Sequence, residues 1–375
     1  MAKDAINVGI IGCGEVARII HIPTLNHMSD YFRITYLCDV SHQALEHCRG
    51  KVSHFSPDPK TTTSAAELCN SPDVEVVFVL SSNEFHVSQA ILALRADKHV
   101  FIEKPMAMNE RDLALLREAE QASKGTVMVG YMRRFAPAYI NAVMEIGGMD
   151  KICYAVVRDI IGSNALFTPQ SGTFAKYFSD YGDEASKERE KALAEMYHQG
   201  LEVDLGVPAT DGSKQAWALL GGLGSHDLSA MREALGMPDG VVGCSINMRT
   251  NFWNAMFKYP TFTVHYESGI HDVPIFDAFI EVFGNSKQVK IKWDTPYIKG
   301  LPVTMTVRED ADGTGALREI AVRKTYEDPY TAEMRELYGL IREGKKVKTT
   351  VEDAANDLKL FQMIMKAGAA QVSGG

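Results

Sequence analysis

No two cysteines in this chain stand at C-x-x-C spacing. None of the six, Cys13, Cys38, Cys48, Cys69, Cys153 and Cys244, belongs to a close Cys/His set of the kind that holds zinc. They read as buried thiols of a reducing compartment, and no metal is expected. Long apolar runs are missing as well: no uninterrupted stretch reaches the roughly eighteen residues that a membrane span needs. The opening residues "MAKDAINVGI" carry no apolar signal segment and no cleavage-like site, so the cytoplasm is the expected location. Positive charge is in deficit, 39 Lys and Arg against 48 Asp and Glu, for a net charge of −9. Such a balance argues against nucleic acid and anionic membranes as partners and leaves small neutral or polar ligands. Internal repeats and low-complexity tracts are absent. What remains is a chain of 375 residues, 46% hydrophobic and 23% charged, a globular composition long enough for two domains.

From residue 6 to about 135, short β-branched apolar runs alternate with segments of helical period. The strands are expected at 6–12, 33–39, 74–81, 99–105 and 126–131, with helices at 15–28, 41–50, 64–69, 84–95 and 109–123 between them. Strand, helix, strand repeated in this way implies parallel strands joined by right-handed crossovers, hence a doubly wound Rossmann sheet. Beyond residue 145 the strands alternate instead. In "QVKIKW" Val289, Ile291 and Trp293 face one way and Lys290 and Lys292 the other. That pattern suits an antiparallel sheet with one covered face, with further strands expected at 152–160, 241–249, 260–267, 275–283, 303–309 and 318–325. The fold class is therefore α/β, an N-terminal Rossmann domain over 1–135 followed by an α+β domain over 136–375. Residues 161–215 are polar, and 183–199 is their best helix. They form either a substrate-covering lid or a surface insertion. The tail 329–371 reads as two helices around "EGKKVK", packed back on one of the domains.

The stretch Val8–Ala17, "VGIIGCGEVA", meets three conditions for a dinucleotide site. It follows a strand, opens a helix, and is answered by Asp39 at the end of the next strand. Gly12 permits the tight turn, Gly14 lets the backbone approach a pyrophosphate, Ala17 lets the helix pack closely, and the amides around Glu15 and Val16 face the phosphates. A carboxylate at Asp39 accepts from both ribose hydroxyls and repels a 2′-phosphate, and no Arg or Lys follows in "DVSHQA". NAD is favoured over NADP. A second group, "HVFIEKP", ends a strand at the edge where open α/β sheets bind ligands. Lys104 there has the chemistry of a proton donor or acceptor if its surroundings lower its pKa.

With these motifs in place, the chain resembles the glucose-fructose oxidoreductase, inositol dehydrogenase and MocA family. The likeness runs through "VGIIGCGEVARIIHIPTL", "HVSQAILALRADKHVFIEKP", "GYMRRFAPAY", "GLGSHDLSAM" and "EMRELYGLIREGKK". It implies hydride transfer between nicotinamide and a secondary alcohol of a sugar, polyol or related ring. It also implies a homodimer or homotetramer built through the open face of the C-terminal sheet. By resemblance Lys104 is catalytic or substrate-orienting, while Glu103 and a Lys104–Pro105 bond that is often cis in the family fix its placement. Ser81, Ser82, Asn83 and His86 fall where the family has a Pro-x-x-x-His element lining the cofactor. Ser82 replaces the usual proline, so a differently shaped loop is expected. Arg134 either helps to hold the site together or forms a structural ion pair. His226 takes the hydroxyl proton as hydride leaves. Asp227 orients substrate hydroxyls or caps the following helix. The family pattern D-x-G-x-H-x-x-D is broken here by Gly222 and Ser229, which puts the identity of the ring in question more than the reaction. Two rivals stand beside a freely exchanging dehydrogenase: a dinucleotide-binding sensor without turnover, and an enzyme that keeps its cofactor and passes hydride between two sugars.

Overall fold

The computed structural model describes residues 5–52, 58–173 and 176–372. They divide into two compact units. The first comprises Met1–Gly130, Thr168–Asp204 and Glu333–Leu358, and the second Tyr131–Phe167, Leu205–Ala332 and Lys359–Gly375.

In the first unit, strands β1 (Ile6–Ile11), β2 (Phe32–Cys38), β3 (Lys60–Thr62), β4 (Val76–Val79), β5 (His99–Glu103) and β6 (Val127–Gly130) form one sheet in the order β3-β2-β1-β4-β5-β6. Every neighbouring pair is parallel, which is the Rossmann order. Helices cover both faces, so the central strands are buried on both sides: Val76 to Val79 are all inaccessible, as are Val8, Ile10, Phe101 and Ile102. β3 was not expected, because it is three residues long, polar and at the sheet edge. The helices lie within a few residues of their expected places, at His42–Arg49, Ala65–Asn70, His86–Arg95 and Glu110–Gln121. Three begin at side-chain caps: Ser41 accepts from Ala44 N, Ser64 from Glu67 N and Asn109 from Asp112 N. The helix after β1 starts as the π-turn Ala17–His21 and continues as Ile22–His27.

The second unit is built on β7 (Ile152–Gly162), β8 (Gly240–Asn247), β9 (Phe252–Lys258), β10 (Thr263–His271), β11 (Phe276–Gly284), β12 (Lys287–Trp293), β13 (Thr304–Asp310) and β14 (Leu317–Val322). Their order is β14-β13-β12-β11-β7-β10-β9-β8, and all pairs are antiparallel except β7 with β10. One face is covered: Val289, Ile291 and Trp293 are buried, and so are Trp253, Ala255 and Phe257 on β9. The tail forms the two expected helices, Pro329–Glu343 and Val351–Val372, but not as part of one domain. Glu333–Leu358 belongs to the first unit, where Arg342 pairs with Glu75 at 2.8 Å, Arg117 with Glu352 at 2.6 Å, and Thr349 O accepts from Val129 N at 2.9 Å. The remainder belongs to the second, where Phe361 packs edge-on against the buried Trp217.

Candidate functional site

Four strand ends of the first unit carry the residues singled out from the sequence. After β1, Gly12 takes φ +97°, and a Cβ there would lie 2.6 Å from the Leu80 carbonyl carbon, so the turn admits only glycine. Gly14 differs. A Cβ on it would meet nothing within 4 Å, leaving open space above the backbone where a phosphate group fits. Asp39, after β2, ties the corner together: Oδ2 accepts from Cys13 N at 2.7 Å and Oδ1 from Ser41 N at 2.9 Å. These residues line a cleft of about 840 Å³ that lies wholly within the first unit. Gly12, Gly14, Glu15, Val16, Asp39, Ser81 and Ser82 form one wall, and Phe178, Tyr181, Arg189 and Leu193 belong to the other. Open space over Gly14, a helix that starts at the cleft and an acid at the end of β2 that lines it fit a dinucleotide.

The segment Thr168–Asp204 thus lines the cleft. It is held by Tyr177 Oη donating to Glu15 Oε2 at 2.8 Å, by Arg189 Nε donating to Glu84 Oε1 at 3.0 Å, and by Lys51 Nζ donating to the Thr173 carbonyl at 2.6 Å. The Arg18 guanidinium donates to the Lys176 carbonyl and lies 5.3 Å from the Phe178 ring centre.

After β4, Ser82 has φ −76° and ψ 152°. That φ is within the range a proline ring imposes, and the serine hydroxyl donates to Glu84 Oε1 at 2.7 Å. Asn83 opens the single turn Asn83–Phe85. His86 is 1% exposed and lies between two carbonyls, with Nδ1 2.8 Å from Pro105 O and Nε2 2.9 Å from Ser81 O. Burial pulls its pKa down, while both carbonyls favour the proton. The side chain joins the β4 loop to the β5 end.

After β5, Lys104 is half-buried and the Lys104–Pro105 bond is cis. Glu103, beneath it, accepts from Lys104 N at 3.1 Å and is 2.8 Å from Nε2 of His21. Burial raises the Glu103 pKa, but the hydrogen bond and charge of His21, with Lys104 and His86, outweigh it and hold the carboxyl below its ordinary range. His21 was not singled out from the sequence, although it lies in "ARIIHIP", the helix that leaves the Gly12 turn.

The other three candidates lie in the second unit. His226 is half-buried in the first turn of helix Ser225–Leu235, and Ser229, where the family has an acid, donates to its carbonyl at 3.3 Å. The Gly222 position is open, with nothing within 4 Å of a Cβ. Asp227 is 3% exposed and paired with Arg133, whose Nη1 also lies 3.0 Å from Asp159 Oδ2. Phe276 and Trp293 flank this guanidinium, with ring centres 5.5 and 5.6 Å away. Burial and the adjacent Asp159 push the Asp227 carboxyl well up. This is a buried Asp-Arg-Asp cluster, and its Arg133 and Asp159 were not anticipated. Arg134 likewise lies in an ion pair, 2.5 Å from Glu233 Oε2 and 2% exposed. Among the described residues no group of three or more His, Cys, Asp or Glu is arranged to hold a metal ion, and no helix is long and apolar enough to cross a membrane.

Residues 6–131 match the model of the Gfo/Idh/MocA family, an oxidoreductase family with an NAD-binding Rossmann fold. Over 137 residues the chain is 32% identical to the inositol 2-dehydrogenase of Salmonella typhimurium, a match covering 36% of this chain and 40% of that protein. The chain therefore matches less than half the length of that curated relative. Among solved structures it is similar to the aldose-aldose oxidoreductase of Caulobacter crescentus complexed with glycerol, with a TM-score of 0.71, 19% identity and 98% of each chain covered. It is also similar to a 3-ketoreductase variant from Actinomadura kijaniata in complex with TDP-benzene and NADP, with a TM-score of 0.69, 15% identity and 97% and 98% covered. At these identities the structural likeness speaks for the fold. Over residues 6–131, and over that part alone, the chain is similar to the NAD-binding Rossmann domain of the Gfo/Idh/MocA oxidoreductases.

Proposed function

We propose that this protein is an NAD(H)-dependent oxidoreductase that interconverts a secondary alcohol and a ketone on a sugar, polyol or related ring. The observation that carries the proposal is the cleft of about 840 Å³ over the Gly12–Gly14 turn, with Asp39 bonded to that turn at its far corner. The inositol 2-dehydrogenase and aldose-aldose oxidoreductase relatives favour a ring polyol or sugar as substrate.

When bound, NAD supplies an acceptor for hydride at nicotinamide C4. This chain's residues do the rest. Gly14 and the amides of Glu15 and Val16 take the pyrophosphate, and Asp39 the adenosine ribose. Ser81, Ser82 and Asn83 bound the dinucleotide on the β4 side, where His86 braces the loop against Pro105. Glu103, set by His21, aims Lys104. As the carbinol C–H leaves as hydride, the hydroxyl proton must go to a base, and we propose Lys104 and His226 as the two residues able to take it; the reverse reaction returns it. Asp227 and Arg134 serve as members of buried ion pairs of the second unit. The Rossmann domain is assigned to cofactor binding and the C-terminal domain to substrate and to assembly of a cytoplasmic homo-oligomer.

The test offers purified protein and NAD, with NADP alongside, a panel of inositols, aldoses, glycosides and cyclic diols, and follows reduced-cofactor absorbance. Turnover with one ring class is expected. Silence across the panel with NAD bound would favour a sensor. A second reading has support in the contacts that hold Thr168–Asp204 along the cleft: an enzyme that retains its cofactor and passes hydride between two sugars. Cofactor surviving purification distinguishes it from a freely exchanging dehydrogenase.

A further inference from the structure

In a Rossmann domain, the start of the helix after the second strand is the place where a 2′-phosphate on the adenosine ribose is either held or refused. An anion is welcome there when the first-turn amides are free and a basic side chain is near. In this protein three of the amides at that helix start are already used. Ser41 N donates to Asp39 Oδ1 at 2.9 Å, Ala44 N to Ser41 Oγ at 2.9 Å, and Gln43 N to Oδ2 of Asp180 at 3.0 Å. The other oxygen of Asp180, Oδ1, accepts from the Ser41 hydroxyl. Asp180 reaches this corner from 139 residues along the chain. It sits between Phe178 and Tyr181, both of which line the cleft, and the segment that carries it is fastened nearby by Tyr177 to Glu15 and by Lys176 to Arg18.

We infer that Asp180 is a cofactor-specificity residue: with Asp39 it fills the anion position at the start of helix His42–Arg49, so that the cleft accepts NAD and refuses NADP. The inference rests on the dinucleotide reading of the cleft and goes beyond it, because the refusing group comes from the segment Thr168–Asp204 and not from the Rossmann motif. The Ser41 hydroxyl and the Gln43 amide hold the Asp180 carboxyl below its ordinary range, so it is charged at neutral pH. His42 is the basic side chain of the helix start that Asp180 senses. Arg18, the arginine of the cleft wall beside the turn, already donates to the Gly14 carbonyl at 2.9 Å as well as to Lys176 O. A 2′-phosphate entering here faces two carboxylates, and to reach the amides it must displace Asp180 and loosen the segment that walls the cleft.

Titration calorimetry on the full chain with NAD and with NADP tests this without requiring turnover. Wild type should bind NAD at least thirtyfold more tightly than NADP. Asp180→Asn keeps the shape and one acceptor but removes the charge. It should bind NADP more tightly than wild type does and narrow the ratio at least tenfold. Asp180→Glu keeps the charge and should keep the preference. The inference is overturned if Asp180→Asn leaves the ratio within twofold, if Asn and Glu weaken both cofactors alike as loss of a mere strut would, or if wild type prefers NADP. Wild type that binds neither cofactor would overturn the dinucleotide reading together with this inference. Wild type that prefers NAD, with a ratio Asp180→Asn does not move, would overturn this inference alone.

Discussion

Replacing Arg133 by methionine separates a structural cluster from a substrate subsite. The guanidinium is 2% exposed, lies within ion-pair distance of both Asp159 and Asp227, and is sandwiched by Phe276 and Trp293. At an effective dielectric near 20, charges about 4 Å apart attract by about 4 kcal/mol, a gain largely offset by the cost of burying them. Arg133→Met keeps the apolar stem between the rings but strands two carboxylates in a dry environment, which costs about 3–5 kcal/mol. For a unit of this size that is a fall of roughly 6–20 °C in melting temperature. Because burial and Asp159 push Asp227 up against the pull of Arg133, the folded state holds its proton more tightly than the unfolded chain does. That contribution is complete below the ordinary aspartate pKa of about 3.9 and is lost as pH rises through the folded value. The triple variant R133M/D159N/D227N removes the stranded charge and should recover most of the loss, with the recovery growing from pH 5 to pH 8. Differential scanning calorimetry across that range reads both effects. A melting temperature for R133M within about 2 °C of wild type, or no recovery in the triple variant, would refute the reasoning.

Lys104→Met should lower kcat by about 10²–10⁴-fold, the usual worth of a positioned acid or base, with a much smaller change in NAD affinity measured by calorimetry. Gly12→Ala and Gly14→Ala should both weaken NAD at least tenfold yet differ in stability. Alanine at position 12 must adopt φ near +97° and meet the Leu80 backbone at 2.6 Å, costing about 1–3 kcal/mol, whereas alanine at 14 projects into open space and should melt with wild type. Glu103 is held below its ordinary range despite burial, so its stabilising effect is present above pH of about 4.3 and is lost as pH falls through the lower folded value. The gap in melting temperature between wild type and Glu103→Gln should therefore close on acidification below about pH 4. A gap that stays constant contradicts the pairing with His21.

The parts of this protein that were legible in its sequence are those specified by neighbours in the chain. Buried parallel strands such as Val76–Val79 are apolar on both faces and announce themselves. The glycine turn, Asp39 and the Lys104 strand end each sit at a fixed distance from such a strand. Elements that borrow their stability from elsewhere were hidden. β3 is polar and short, and exists because it pairs with β2. β9 alternates correctly at Trp253, Ala255 and Phe257, but Met256 on the open face is 44% exposed and blurs the pattern. In "GYMRRF" the two adjacent arginines cannot be ranked locally. Arg133 meets partners 26 and 94 residues away, and Arg134 one 99 residues away. Asp180 lies in a polar stretch without periodicity, and its importance appears only where the chain returns to Ser41.

The central claim is direct hydride movement between a ring carbinol and NAD, and isotope tracing tests it most directly. The ring alcohol that gives turnover, deuterated at its carbinol carbon, is incubated with the protein and NAD, and the reduced cofactor is examined by mass spectrometry and NMR. The account predicts one deuterium per NADH, at C4 of the nicotinamide and on a single face, with transfer slowed by the Lys104→Met substitution. NADH formed without deuterium, the label having passed to solvent, would contradict it.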